Sequence, residues 1–191
     1  MKTVTYEEFL KFAPGWLDEE GGAERIKAYF DKFGGSMSAL DILNLDDISA
    51  QDKLWAVLRK EFIPAPILHE FGCVCAEYAL TLIDNPDPRS IKVIEIKRAW
   101  LRGEATDEEL DTARTGACAA ADAARYAARH AAWAAWAAAS DSAWVAAWVA
   151  ARDAIRATAR DAACDAARKP ARAATREAQV AYLIMTLEEE E

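Results

Sequence analysis

The stretch Ala131-Ala132-Trp133-Ala134-Ala135-Trp136-Ala137-Ala138-Ala139, with Ala143-Trp144-Val145-Ala146-Ala147-Trp148-Val149-Ala150 just beyond it, decides the fold. Alanine loses no side-chain entropy in a helix and buries no polar group, so this backbone is helical. The alanine-rich region runs from about Asp111 to Ala181. Its larger side chains, Arg114, Cys118, Asp122, Arg125, Arg129, Trp133, Trp136, Ser140, Trp144 and Trp148, recur at steps of three and four. On one unbroken helix that spacing, about 3.67 residues per turn, draws a nearly straight stripe with alanine on its flanks. One helix from Thr106 to Arg168 would be over roughly 90 Å long, too long for a compact chain of this size. Ser140-Asp141-Ser142 is the best internal break, since each residue is a natural N-cap. Lys169-Pro170 marks a second, starting a last helix to about Leu187. Three antiparallel alanine-rich helices are expected.

Outward from this region, helix signals punctuate the rest of the chain. Thr5-Tyr6-Glu7-Glu8 is a capping box opening a short helix that Pro14-Gly15 stops, with Trp16 and Leu17 as an apolar anchor. Ile26, Tyr29, Phe30 and Phe33 share one face of a helix over 23–33, and Ser38 to Leu45 forms another. Ser49 with Asp52 caps a helix expected to reach about Phe62, and Pro64 and Pro66 separate it from an apolar helix over 67–83. Asp87-Pro88 starts a helix that Gly103 ends; its run of Ile91, Val93, Ile94 and Ile96 competes for strand, but its charges and caps favour helix. Thr106-Asp107-Glu108-Glu109 is a further capping box, and no strand pair with hairpin turn chemistry is expected. The fold class is therefore all-α: a multi-helix bundle in which short N-terminal helices pack with an antiparallel array of long alanine-rich helices. Residues 1–105 form an acidic helical region and 106–191 an alanine-rich hairpin or bundle, sharing one core.

Charge narrows the function. The chain of 191 residues carries a net charge of −9. Residues 1–112 hold 13 Lys and Arg against 22 Asp and Glu, whereas 113–191 hold ten of each. Nucleic-acid polymers need a basic field and are disfavoured as partners. Met1-Lys2-Thr3 leads into a polar amphipathic segment, not an apolar signal, and no apolar run reaches a membrane-spanning length. Cys73, Cys75, Cys118 and Cys164 show no disulfide framework and read as small core residues in a cytoplasmic setting.

Two readings compete for the tryptophans, beside a third in which they form a homo-oligomer seam. Trp at helical spacing among alanines supplies buried area that alanine cannot, which favours core. Alternatively Arg125, Arg129, His130, Trp133, Trp136, Trp144, Trp148 and Arg152 line a groove, where indoles beside guanidiniums suit a nucleotide-like ligand or an acidic partner face. Arg152, Asp153 and Arg156 belong to a charge ladder that reads as a solvated helix face. His69 and Cys73 share a helix face, but no second close pair completes a metal site. No phosphate loop, nucleophile elbow or dinucleotide fingerprint occurs, so no cofactor and no enzymatic activity is expected.

Several motifs carry a resemblance. Asp52-Lys53-Leu54-Trp55-Ala56-Val57-Leu58-Arg59, Leu68-His69-Glu70-Phe71, Asp87-Pro88-Arg89-Ser90 and Arg98-Ala99-Trp100-Leu101-Arg102-Gly103-Glu104-Ala105-Thr106 precede the Ala/Trp/Arg/Asp tail. Together, from about Ser38 onward, they resemble an alanine-rich immunity-protein family of bacteria and their phages. The resemblance implies an all-helical, cytoplasmic, non-enzymatic protein that neutralises a toxin or effector by binding; it brings no binding residues with it. An immunity-type inhibitor acting by occlusion is thus the first expectation. A phage anti-defence sponge for a nucleotide-derived signal is the second, and a structural homo-oligomer of alanine-rich helices the third.

Overall fold

In the computed structural model, the described residues are 2–12, 21–123, 127–140, 142–161 and 165–190. Pro14-Gly15, Trp16, Leu17, Arg125, Asp141 and Cys164 lie outside them. The chain is 75% helical, with ten helices among these residues packed on one another. It is an all-α multi-helix bundle.

The N-terminal caps form as their sequences dictate. Thr5 caps α1 (Tyr6–Leu10) in a full capping box with Glu8. α2 covers Gly22–Lys32, α3 Ala39–Leu43 with Ser38 and Asp41 as its box, and α4 Ala50–Val57 behind Ser49. The sequence reading did not anticipate a small antiparallel ribbon, which is no hairpin: it pairs β1 (Thr3–Thr5) with β2 (Ser36–Ser38), with α1 and α2 between them in the chain. Thr5 and Ser38 are N-caps, which hold the chain extended as it enters a helix. Each ribbon strand is the lead-in to a cap, too short to show a period-two pattern.

A second departure ends α4 early. Rather than running to Phe62, the helix stops at Val57, and the Arg59 N–H bonds the Val57 carbonyl at 2.7 Å. Leu58 between them has φ −73° and ψ 59°, the geometry of an inverse γ-turn. The bend sends Leu58, Phe62 and Ile63 into full burial, which outweighs the lost helical bonds.

α5 (Ala65–Thr81) is the hub: Leu68, Phe71, Gly72, Cys73, Cys75, Ala76 and Ala79 are buried on it. It packs on α8 (Ala127–Ala138) and α9 (Ala143–Asp161). α6 (Pro88–Leu101) starts at the Asp87 cap as expected and packs on α5, α8 and α7 (Asp107–Ala123). α10 (Asp165–Glu189) lies on α9, α4 and α3. The alanine-rich region thus supplies four helices where three were expected. Pro170 also departs from expectation, lying inside α10 and not at its start. An interior proline removes one intrahelical bond and crowds the carbonyl four residues before it, yet the helix continues through Pro170.

One apolar cluster runs from Val4 through α5 to Leu187. Ala131, Ala134, Ala135, Ala138, Ala147, Ala150 and Ala154 belong to it and are buried. Small side chains let α5, α8 and α9 approach closely, so the alanines form the interior and no indole fits between them. At the crossing of α5 and α9 the approach is backbone to backbone: a Cβ on Gly72 would stand 2.8 Å from the Ala146 carbonyl oxygen.

Candidate functional site

The close hairpin of α8 and α9 decides where the candidate side chains go. Ser140 and Ser142 end one arm and begin the other, with the Ser142 carbonyl accepting the Ala146 N–H at 2.9 Å. The stripe that one straight helix would display is therefore folded back on itself. Because alanine fills the seam, the indoles are displaced to its margins: Trp133, Trp136 and Trp148 are half-buried and Trp144 is 43% exposed.

Trp133 and Trp136 meet edge to face, with ring centroids 5.1 Å apart. The Arg114 guanidinium of α7 lies 5.6 Å from the Trp136 ring, so this pair faces the α7 side. Trp148 and Arg152, one turn apart on α9, instead border a cavity with α4 and α10. Arg129 and Trp144 stand toward solvent. Among the described residues, no ring contact joins Trp133 or Trp136 to Trp144 or Trp148. Arg125 lies outside the described residues. The candidates thus form separate groups along the margins of the hairpin.

His130 and Arg152 are brought together by a residue that the sequence reading assigned to a solvated ladder. Asp153 is only 4% exposed. Its Oδ1 accepts a hydrogen bond from Arg156 Nη1 at 3.1 Å and lies 3.6 Å from His130 Nδ1. Arg152 Nη2 is 3.7 Å from Oδ2. The i,i+3 spacing to Arg156 looks like an exposed pair in sequence; only the packing of α8 over α9 buries its carboxylate. Asp153 orients the basic groups of this margin from beneath.

The remaining chemistry-bearing residues are structural. His69 is buried with its ring edge-on to Trp100 at 6.2 Å, and burial pushes the Cys73 thiol up to about 12. Among the described residues, no group of three His, Cys, Asp or Glu side chains is placed to hold a metal ion. No helix among them is long and apolar enough to cross a membrane.

In the acidic half, many cations are taken up internally. Arg98 binds Glu70 at 2.6 Å and also Glu77, and these hydrogen bonds hold its guanidinium above its ordinary pKa. Lys27, Arg89, Lys92 and Arg102 pair with Asp31, Asp87, Glu95 and Glu104. Lys97 is fully buried, and Arg59 lies over Trp55 at 4.2 Å. Further acids, among them Glu108 and Asp111 on the first turns of α7, are exposed. This surface is negative.

No known protein family, curated protein or solved structure matches the chain.

Proposed function

We propose that the protein is a non-enzymatic, immunity-type inhibitor that acts in the cytoplasm and neutralises a toxin or effector by occlusion. The observation that carries this reading is the inversion of the alanine hairpin, with alanines inside and indoles at the margin. A fold that needed tryptophan for its core would bury it; here four indoles stand half-buried or exposed beside Arg129, Arg152 and Arg156. Trp and Arg are the residues that dominate binding energy at protein interfaces. The sequence resemblance to immunity proteins points the same way. At longer range, the net charge of −9 and exposed carboxylates such as Glu108 and Asp111 steer a basic partner toward the chain.

The test is affinity capture from the native host lysate, with retained proteins identified by mass spectrometry. The expected result is a basic protein held at low salt and released at about 0.5 M salt, where screening is strong. The double variant Trp144→Ala/Arg129→Ala should lose it while keeping the wild-type circular dichroism. Retention of an acidic partner, or retention indifferent to both salt and the double variant, would contradict the proposal.

A further inference from the structure

The turn that ends α4 early sets Arg59 apart. Its N–H bonds the Val57 carbonyl at 2.7 Å, and its own carbonyl accepts the N–H groups of Phe62 at 3.1 Å and Ile63 at 2.9 Å. Rings fix the side chain as well. The guanidinium carbon lies 4.2 Å from the Trp55 ring centroid and 4.9 Å from that of Phe12. Phe12 is braced in turn, edge to face against Phe9 at 5.8 Å and Phe62 at 6.1 Å, both of them core residues. The guanidinium thus has little freedom left to lose on binding, and that loss is a main cost of using a long side chain at an interface.

What this guanidinium lacks is an acceptor. Nε is buried without one among the described residues. Nη1 and Nη2 have none among them either, and both stay open to solvent. Burial lowers the pKa of the group, and the charge of Glu61 opposes this only from a distance. An arginine that merely covered apolar surface would keep its whole head in water. Here one edge is closed, so an acceptor has to come to the Nη edge. In such partly dry surroundings an opposite charge is attracted more strongly than in water, and two parallel N–H donors match two oxygens of one anion.

The surroundings supply an independent observation. Exposed Lys2 and Lys60 meet beside Arg59, with Lys2 Nζ donating to the Lys60 carbonyl at 3.2 Å, against one exposed acid, Glu61. This is a basic spot in a half of the chain that is otherwise acidic. It complements an acidic group and repels a cation. One free guanidinium balances the single charge of a carboxylate, and arginine beside tryptophan is the combination that dominates binding at protein interfaces.

We propose that Arg59 seats a carboxylate from a protein partner, an aspartate or glutamate side chain whose two oxygens take Nη1 and Nη2 while Trp55 and Phe12 hold the guanidinium in place. The site is built from α1, α4 and the turns that end them, with none of the indoles of the alanine hairpin. It therefore does not rest on the occlusion reading.

NMR of the isotope-labelled full chain tests this, following the Arg59 Nε–H and Trp55 indole N–H signals during titration at constant ionic strength. The probes are N-acetyl-glutamate α-amide, which carries only the side-chain carboxylate, its neutral glutamine counterpart, and orthophosphate. The glutamate probe should shift both signals saturably, with a Kd on the order of 10 mM, as fits two charge-assisted bonds from a fixed donor. The glutamine probe should shift neither. Arg59→Lys keeps the charge but not the fork, so the Trp55 response should weaken about tenfold while circular dichroism stays that of the wild type. Where that variant fails to fold, the comparison of probes on the wild-type chain decides. No saturable shift with the glutamate probe at about ten times the expected Kd overturns the proposal. So does an equal response to the glutamine probe, tighter binding of orthophosphate, or full affinity for the glutamate probe in folded Arg59→Lys.

Discussion

Gly72→Ala should destabilise the protein by about 2 kcal/mol, although alanine is the better helix former. In an open helix the same change would gain roughly 0.5–1 kcal/mol, because glycine has more backbone freedom to lose. At Gly72 the new Cβ would meet the Ala146 carbonyl oxygen at 2.8 Å and its carbon at 2.9 Å. Both atoms are backbone, so no side chain can swing aside, and α5 must move away from α9. That movement opens the tightest seam of the bundle, and overpacking of this kind costs about 1–3 kcal/mol. Gly116 provides the comparison. It lies within α7, and its added Cβ would come no closer than 3.8 Å to the Arg89 side chain. Gly116→Ala should therefore raise stability by about 0.5–1 kcal/mol. Urea unfolding of both variants decides the matter: opposite signs are expected, and two stabilising changes would show that α5 and α9 are not in backbone contact.

Lys97→Ala should cost about 3 kcal/mol. Lys97 is fully buried on α6, and its Nζ donates to the Ser140 carbonyl at 2.9 Å, 3.8 Å from the Trp100 ring centroid. Ser140 follows the end of α8, where helix carbonyls lack intrahelical partners. The lysine therefore ties α6 to the turn that reverses the alanine hairpin. Truncation removes that donor and leaves a cavity the length of the side chain, two losses that add. Lys97→Met keeps the apolar stem and removes only the polar tip, so it should recover part of the loss. Thermal and urea unfolding measure both variants. An alanine variant within about 0.5 kcal/mol of wild type, the range of an ordinary surface substitution, would show that the turn does not depend on this tie.

How much of this was legible in the sequence depended on the range of the interactions involved. Caps are local, so Thr5–Glu8, Ser49–Asp52, Asp87-Pro88 and Thr106–Glu109 each marked a helix start that the structure has. The β-branched run after Pro88 is helical for the same reason. The inverse γ-turn at Leu58 was not legible, since tertiary burial of Leu58, Phe62 and Ile63 overrides a good helical pattern. Pro170 misled because a proline reads as a helix start, whereas here the packing of α10 on α9 and α4 carries the helix through it.

The candidate residues show the same division. Their presence on helices was readable, but the direction they face was not. Alanine is compatible with either side of a helix, and periodicity alone gives no sign for the moment of an Ala/Trp pattern. Close packing settles it, because only small residues, the alanines with Gly72, permit the approach that α5, α8 and α9 make. Asp153 acquires its burial from the neighbouring α8, which no local pattern announces.

The inversion of alanine and tryptophan underlies both the fold and the proposed binding face, and the unfolding free energy of Ala134→Leu tests it most directly. Ala134 is fully buried in the core cluster, on the same helix as Trp133. If the alanines are the interior, three added carbon atoms overpack the seam, and stability should fall by about 1 kcal/mol or more. If the tryptophans were the interior, Ala134 would face water, and leucine, nearly as good a helix former, would leave stability unchanged. An unchanged or increased unfolding free energy would contradict the account.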